Sequence, residues 1–390
     1  MKRLILLALI ISIIIPITLA QEKDADAIAQ ASRSAEIAGH SLSKVHRWLH
    51  EIALPKIDKN TGLYIADGEW NYRNTAADCY PFLAWAAWAT DKGALNGAVR
   101  SILHAERSLC NVKGRIPAPY NYKRQEIIKM KNEELVFEAS EYVKDCLIAI
   151  IEVTGRDEWF DRMRAIEDDL WKYADIETSF GMIPSTNIEV NGEQLQALSR
   201  LYTMTGDEKY LTWAMRLADY YFADENFVPT RLRDHGCEII GGLGLLQAVL
   251  TADHPEKAAE YGDHLKKMYD TILEKGTLDV GMMYNHLTKR DGWNGGISDG
   301  WGYNYVGYLC YDMAMGTDTY TSHMEATLAN MMDPKYKDYP WEGGSIDGYA
   351  DSVEGAIYML NRLPVKEGFE WVNRETKNNI VDHPNPVEPE

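Results

Sequence analysis

Along most of the chain apolar residues recur three and four positions apart, and stretches that alternate with a period of two are scarce. The pattern predicts a mostly helical protein. A first helix is expected over 24–50, with Pro55 beyond its end. Helices then come in pairs joined by short turns: 76–89 with 94–109, 133–153 with 158–173, 193–204 with 208–222, 237–250 with 256–273, and 303–314 with 320–332. A last helix is expected over 350–360.

The turns repeat weakly. Thr154-Gly155-Arg156-Asp157-Glu158-Trp159-Phe160 and Thr205-Gly206-Asp207-Glu208-Lys209-Tyr210-Leu211 align over seven positions, and Thr251 and Thr317 mark the same place in degraded form. Glycine ends one helix in the left-handed conformation, the acidic residues after it suit the start of the next, and an aromatic opens its buried face. These turns lie about fifty residues apart, a period at which arrays and closed solenoids occur.

Three of the leading helices are apolar nearly all round: FLAWAAWA, IIGGLGLLQAVL and YVGYLCYDMAM. A helix without a polar face is expected to be buried on all sides. The following helices, such as RDEWFDRMRAIEDDLWKYA, are charged and amphipathic. This predicts an inner ring and an outer ring, about twelve helices in six pairs, with the first helix packing beside the last if the ring closes. The long loops 110–132, 174–192, 223–236, 274–302 and 333–349 then gather at the N-terminal ends of the inner helices. Six such loop-to-helix entrances carry Asp78, Glu141, Glu193, Glu238, Asp299 and Glu354 among aromatic and small residues.

The arrangement resembles the (α/α)6-toroid carbohydrate-active enzymes, which comprise glycoside hydrolases and polysaccharide lyases. Size and the leader described below make it most similar to the single-domain unsaturated-uronyl hydrolases. The resemblance covers most of the chain and is architectural; no diagnostic catalytic motif of a named family is present. It implies an all-α (α/α)6 toroid, a carbohydrate substrate and no cofactor.

Met1-Lys2-Arg3, an apolar run to about Leu19 and a polar break after Ala20 read as a secretory signal over 1–20, hence a secreted or periplasmic protein. The remainder, 21–390, is expected to form one toroid, with the proline-bearing stretch 375–390 as a solvated tail. Loss of Lys2 and Arg3 takes the formal net charge from −19 to −21. Such a balance argues against nucleic acid as a partner, and no further run is long and apolar enough to span a bilayer. Cys79, Cys110, Cys146, Cys237 and Cys310 show no paired spacing and read as free thiols rather than a disulfide framework. Oligomeric state is not written in the sequence.

The chemistry is expected at the loop face. Trp70, Trp293, Trp301 and Trp341 can cover the C–H faces of sugar rings. Arg73, Arg231 and Arg233, with Lys113, Arg115, Lys123, Arg124, Lys129, Lys131, Lys289 and Arg290, suggest attraction for a carboxylate or sulfate, and so for an anionic, uronic-acid-containing oligosaccharide. Glycoside hydrolysis needs one protonated acid and one ionised partner. Asp78 and Glu141 are the first candidates and Glu238 the third; Glu138, Glu141 and Asp145 share one helical face. The rival is β-elimination, for which Arg233 with His235, Tyr284-Asn285-His286 and Tyr303-Asn304-Tyr305 offer the residue types. His235 and Glu238 lack a third ligand of convincing spacing, so no metal site is expected there. A non-catalytic glycan-binding protein would keep the aromatics and the bases. A terpene-cyclase-like toroid would need an apolar mouth, which this sequence lacks.

Overall fold

The near-uniformly apolar stretches of the sequence fall on inner helices, of which there are six. In the computed structural model, which describes residues 2–66, 68–334 and 346–382 (without the side chains of 2–24, 234–235 and 346–347), 69% of the chain is helical. The first inner helix starts as a wide π turn at Asn74–Cys79 and continues as Tyr80–Thr90. The second runs through Asn132–Glu141, a π segment Tyr142–Ile148 and Ala149–Thr154. The third to sixth are Ile188–Thr205, Glu238–Asp253, Trp301–Met315 and Ile346–Leu360. Each inner helix packs against the next from the first to the sixth.

Their outer partners are Arg100–Leu109, Glu158–Lys172, Glu208–Phe222, Pro255–Gly276, Thr321–Asn330 and Lys366–Thr376. The fold is an all-α (α/α)6 toroid. The turns work largely as the sequence predicts. Gly206 and Gly316 end their helices in the left-handed region, and the Asp157 and Asp207 side chains cap the next helices at Trp159 N and Lys209 N. Gly155 departs from the expectation: its φ is +78° but its ψ is −150°, outside the left-handed helical well.

The pairing at the chain ends differs from the expected one. The sixth inner helix is partnered by Lys366–Thr376, a short, charged helix whose buried face is Gly368, Trp371 and Glu375, only one of them a large apolar residue. The first helix, Lys2–Trp48, is therefore additional to the six pairs. It does lie beside the last elements: Lys44 Nζ donates to Ile380 O at 2.8 Å and Val381 O at 2.6 Å, and Asn373 donates to Ser34 at 3.0 Å. The stretch 375–382, expected to be solvated, is thus anchored up to Asp382. One further expectation fails. The first inner helix is not buried all round, since Phe82, Trp85 and Trp88, spaced three apart on one side, remain exposed. An inner helix of a ring has a side that neither ring covers.

The loops at the inner-helix N-termini carry small antiparallel hairpins, Asn111–Lys113 with Ile116–Pro117 and Ile176–Thr178 with Gly181–Ile183, and a three-stranded sheet of Glu69–Trp70, Tyr120–Asn121 and Glu126–Ile127. None of the five cysteines forms a disulfide. Among the described residues no helix is long and apolar enough to cross a membrane.

Candidate functional site

Three pairs of glycines set how closely the inner helices approach. A Cβ on Gly242 of the fourth would lie 2.6 Å from Gly192 O of the third, and one on Gly244 would lie 2.7 Å from Gly307 O of the fifth. A Cβ on Gly355 of the sixth would meet Gly302 Cα at 2.8 Å. Any side chain at these contacts would push the helices apart. Gly192 directly precedes Glu193, so the same contacts bring the entrance carboxylates together.

Glu141 and Asp145 from the second inner helix and Glu193 from the third each place a carboxylate oxygen within 4.8 Å of the others. Glu141 is hydrogen-bonded to Asp145 and to Glu189. A carboxyl–carboxyl hydrogen bond requires a proton, and burial, with Glu193 and Asp145 adding like charge, raises Glu141 far above the carboxylate range. Glu193 is 1% exposed, neither of its oxygens has a hydrogen-bond partner, and burial raises it well above the usual value. Asp145 lies in the π segment, whose wider turn is a frequent accompaniment of functional sites.

One ammonium answers these acids. Lys144 Nζ lies 2.5 Å from Asp145 and 2.8 Å from Glu238 of the fourth inner helix. Its side chain keeps 21% of its surface although protein surrounds it, so it sits at the bottom of a recess open to solvent. Burial opposes its charge, but Asp145 and Glu238 outweigh that and hold it protonated. The other Glu238 oxygen accepts from Gln196 at 2.5 Å.

Lys144 also lies 5.8 Å from the centre of the Tyr303 ring on the fifth inner helix. Tyr303 donates to Glu354 of the sixth at 3.0 Å. Glu354 is solvent-accessible yet enclosed by protein, and burial raises its carboxyl above the usual range; Lys144 and the Tyr303 hydroxyl partly offset this. Five inner helices therefore meet through Glu141, Asp145, Lys144, Glu193, Glu238, Tyr303 and Glu354. Of the first-ranked candidates, Glu141 is in this cluster but buried beneath its surface, and Glu238 and Tyr303 are in it directly. Asp78, in the π turn of the first inner helix, is exposed, and its charge acts on the buried Cys146 of the second.

Other expected site residues go elsewhere. Trp70 and Trp301 are fully buried, Trp70 edge-on to Tyr72 and Tyr80 and Trp301 to Tyr305, so neither offers a face to a sugar. Asn304 is buried and donates to Leu232 O at 2.7 Å; Asn285 donates to Trp293 O at 2.7 Å. The Nδ1 of His286 accepts from Thr288 N and Lys289 N, both at 3.1 Å, and burial lowers the ring's basicity. Asp299 is buried and accepts from Gly300 N at 2.8 Å. Trp293, by contrast, is 57% exposed with the Arg233 guanidinium 4.7 Å from its ring centre; Arg231, also exposed, bridges to His286 through the backbone. Arg73 lies over Phe137 at 4.2 Å. The backbone of His235 sits in the turn Asp234–Cys237, but its side chain, like all of Trp341, lies outside the described residues.

The sequence reading missed Lys144 and did not rank Glu193 or Glu354. The last two stood among the six entrance acids; Lys144, the one basic residue of a helix that carries several acids, was the available signal for the first.

No family model matches the sequence, and no curated protein matches it at a significant level. Among solved structures the chain is similar to a sugar epimerase from a ruminal bacterium, with a TM-score of 0.51 and 11% identity over 75% of this chain and 86% of that one. It is also similar to cellobiose 2-epimerase from Bacillus thermoamylovorans B4167 (TM-score 0.45, 15% identity, 74% of this chain and 86% of that one). A GH127 β-arabinofuranosidase gives a TM-score of 0.44 at 16% identity over 77% of this chain and 50% of that one. None of the three is an unsaturated-uronyl hydrolase, so the likeness stands at the level of the toroid. At 11% identity the first of these likenesses shows the fold alone, an (α/α)6 toroid.

Proposed function

We propose that this protein is a carbohydrate-active enzyme, and specifically a glycoside hydrolase working in the recess around Lys144. The observation that carries the reading is one ammonium held between Asp145 and Glu238, beside a second, raised carboxyl at Glu354. Paired carboxyls in different states are what glycosidic cleavage needs. Glu354, accessible and raised, is the general acid toward the leaving oxygen. Asp145, ion-paired with Lys144 and the more accessible of its two partners, is the base or nucleophile. Tyr303 orients Glu354 through its hydroxyl. Trp293, backed by Arg233, offers its free face to a sugar ring at the rim.

Elimination has less support. Asn285, Asn304 and His286 are spent on backbone groups, and Tyr305 bonds His323 at 2.8 Å. A uronate at the reacting position also has less support than the basic loops promised. Arg115 is paired with Asp169 at 2.8 Å, Arg124 with Glu126 at 2.9 Å, and Arg290 donates to the His286 and Lys289 carbonyls. The recess itself is acid-rich, so the sugar cleaved there is uncharged. The basic, apolar leader supports a secreted or periplasmic enzyme.

The test is incubation with neutral and uronic-acid oligosaccharides, following reducing ends together with absorbance of the unsaturated uronate. Reducing ends from neutral substrates, abolished in Glu354→Gln and Asp145→Asn, are expected. A rise in unsaturated-uronate absorbance would instead establish elimination, and glycan binding without turnover would establish a lectin-like role.

A further inference from the structure

We infer that Glu141, Asp145 and Glu193 form a binding site for a divalent cation of the calcium class. Two observations carry this. The first is geometric: one oxygen from each carboxyl lies within 4.8 Å of the other two. Oxygen ligands around Ca2+ stand about 2.3–2.6 Å from the ion, so even a pair on opposite sides of it is about 4.6–5.2 Å apart. Three oxygens within that limit fit around one such ion, whose flexible geometry suits ligands fixed on helices, whereas Mg2+ demands a near-ideal octahedron.

The second is Glu193 itself. It is 1% exposed, and both of its oxygens lack any hydrogen-bond partner while facing the other two acids. A buried carboxyl with neither oxygen satisfied is costly, and native proteins pair such groups or coordinate a metal with them.

The surrounding charge agrees. Glu189 reaches Glu141 by a hydrogen bond, and Lys144 pairs with Asp145 and Glu238, so among the described residues one ammonium accompanies five carboxyls. A divalent ion supplies the missing positive charge. Asp145 reaches Lys144 as well, through Oδ1 at 2.5 Å, and so ties the carboxyl cluster to that ammonium. The ion would cross-link the second and third inner helices beneath the recess. The same carboxyls without an ion must share protons, and this is the competing state that the experiment distinguishes.

The experiment is calorimetric titration of the full chain, stripped with chelator, with Ca2+ and separately with Mg2+, alongside thermal melts. One Ca2+ per chain, an increase in melting temperature on adding it, and at least tenfold weaker Mg2+ binding are expected. Glu193→Gln should weaken Ca2+ binding at least tenfold. Glu141→Gln is the second variant, to be used with circular dichroism should Glu193→Gln misfold, and Glu354→Gln, outside the ligand set, should bind as the wild type does. Absence of both binding heat and melting shift in the wild type, or unchanged affinity in folded Glu193→Gln and Glu141→Gln, would overturn the site and leave shared protons as the answer. Because binding is read directly, it stands or falls separately from the hydrolase reading.

Discussion

Lys144, on the second inner helix, reaches past the third to pair with Glu238 on the fourth at 2.8 Å. The same ammonium lies 2.5 Å from Asp145 in its own helix. It is the cation on which the recess depends. Replacing it by methionine keeps the stem and leaves two enclosed carboxylates facing Glu141 and Glu193. Breaking a buried pair from one side costs on the order of 3 kcal/mol. Lys144→Met should therefore lower the melting temperature and reduce kcat/KM on the best oligosaccharide by roughly 100-fold, about 2.7 kcal/mol in transition-state terms. Kinetics within a few-fold of wild type would exclude Lys144 from the machinery.

The Tyr303–Glu354 hydrogen bond gives a pH signature. Glu354 must be protonated to act as acid, and burial raises its pKa, so the rate should fall as pH rises through that raised value. The Tyr303 hydroxyl stabilises the carboxylate and so pulls the pKa back down. Tyr303→Phe should thus move the alkaline limb of the kcat/KM profile to higher pH. Glu354→Gln should remove that limb and lower kcat by about 10²–10⁴-fold with little change in KM. An alkaline limb that stays put in Tyr303→Phe would show that another group sets it.

Much of this architecture was legible in the sequence because ring folds write a strong pattern. The apolar helices, the charged partners and the Asp-bearing turns after Gly155 and Gly206 each follow from local rules of burial and capping. The final helix pair was not legible, since the buried face of Lys366–Thr376 is Gly368, Trp371 and Glu375, with one large apolar residue among them. Within the site, sequence marked the entrance acids but could not order them. Asp78 and Glu354 both sit at entrances and both are exposed, yet it is Glu354 that stands beside Tyr303. That choice is made by helix register across the Gly302–Gly355 contact, which no local pattern encodes. Trp70 and Trp301 misled for a related reason. A tryptophan in a loop at the mouth reads as a sugar platform, while here the loops fold back and bury both in the core.

Beneath the outer surface, Arg162 and Glu106 form a buried ion pair between two outer helices. Further bonds hold it: Tyr72 donates to Glu106 at 2.9 Å, and Arg162 donates to Arg115 O at 2.8 Å and to Asn111 at 2.9 Å, while Glu106 Oε2 and Arg162 Nε have no partner. Removing one partner strands the other charge without solvent. Arg162→Met should destabilise the fold by about 3–5 kcal/mol, read from urea midpoints, and Glu106→Gln should be milder because the amide oxygen still accepts. Equal and small effects of both would mean that water enters the pair on mutation.

Glu167 gives the clearest dependence of stability on pH. It is wholly buried on the second outer helix, where Gln194 donates to one oxygen at 2.9 Å while the other has no partner. Burial lifts its pKa from 4.5 to about 8, against the favourable Gln194 bond. Between those two values the folded chain holds a proton there that the unfolded chain has released. Stability must then fall as pH rises through this window, by up to about 1.4 kcal/mol per pH unit, and level off above it. Glu167→Gln keeps an oxygen for Gln194 and cannot ionise. It should flatten the slope of urea stability between pH 5 and 8 and make the variant the more stable protein at pH 8. The flattening is partial, because Glu138, Glu193 and Glu354 are raised in the same direction. Parallel curves for the two proteins across this range would mean that Glu167 titrates normally, with water reaching it in the fold.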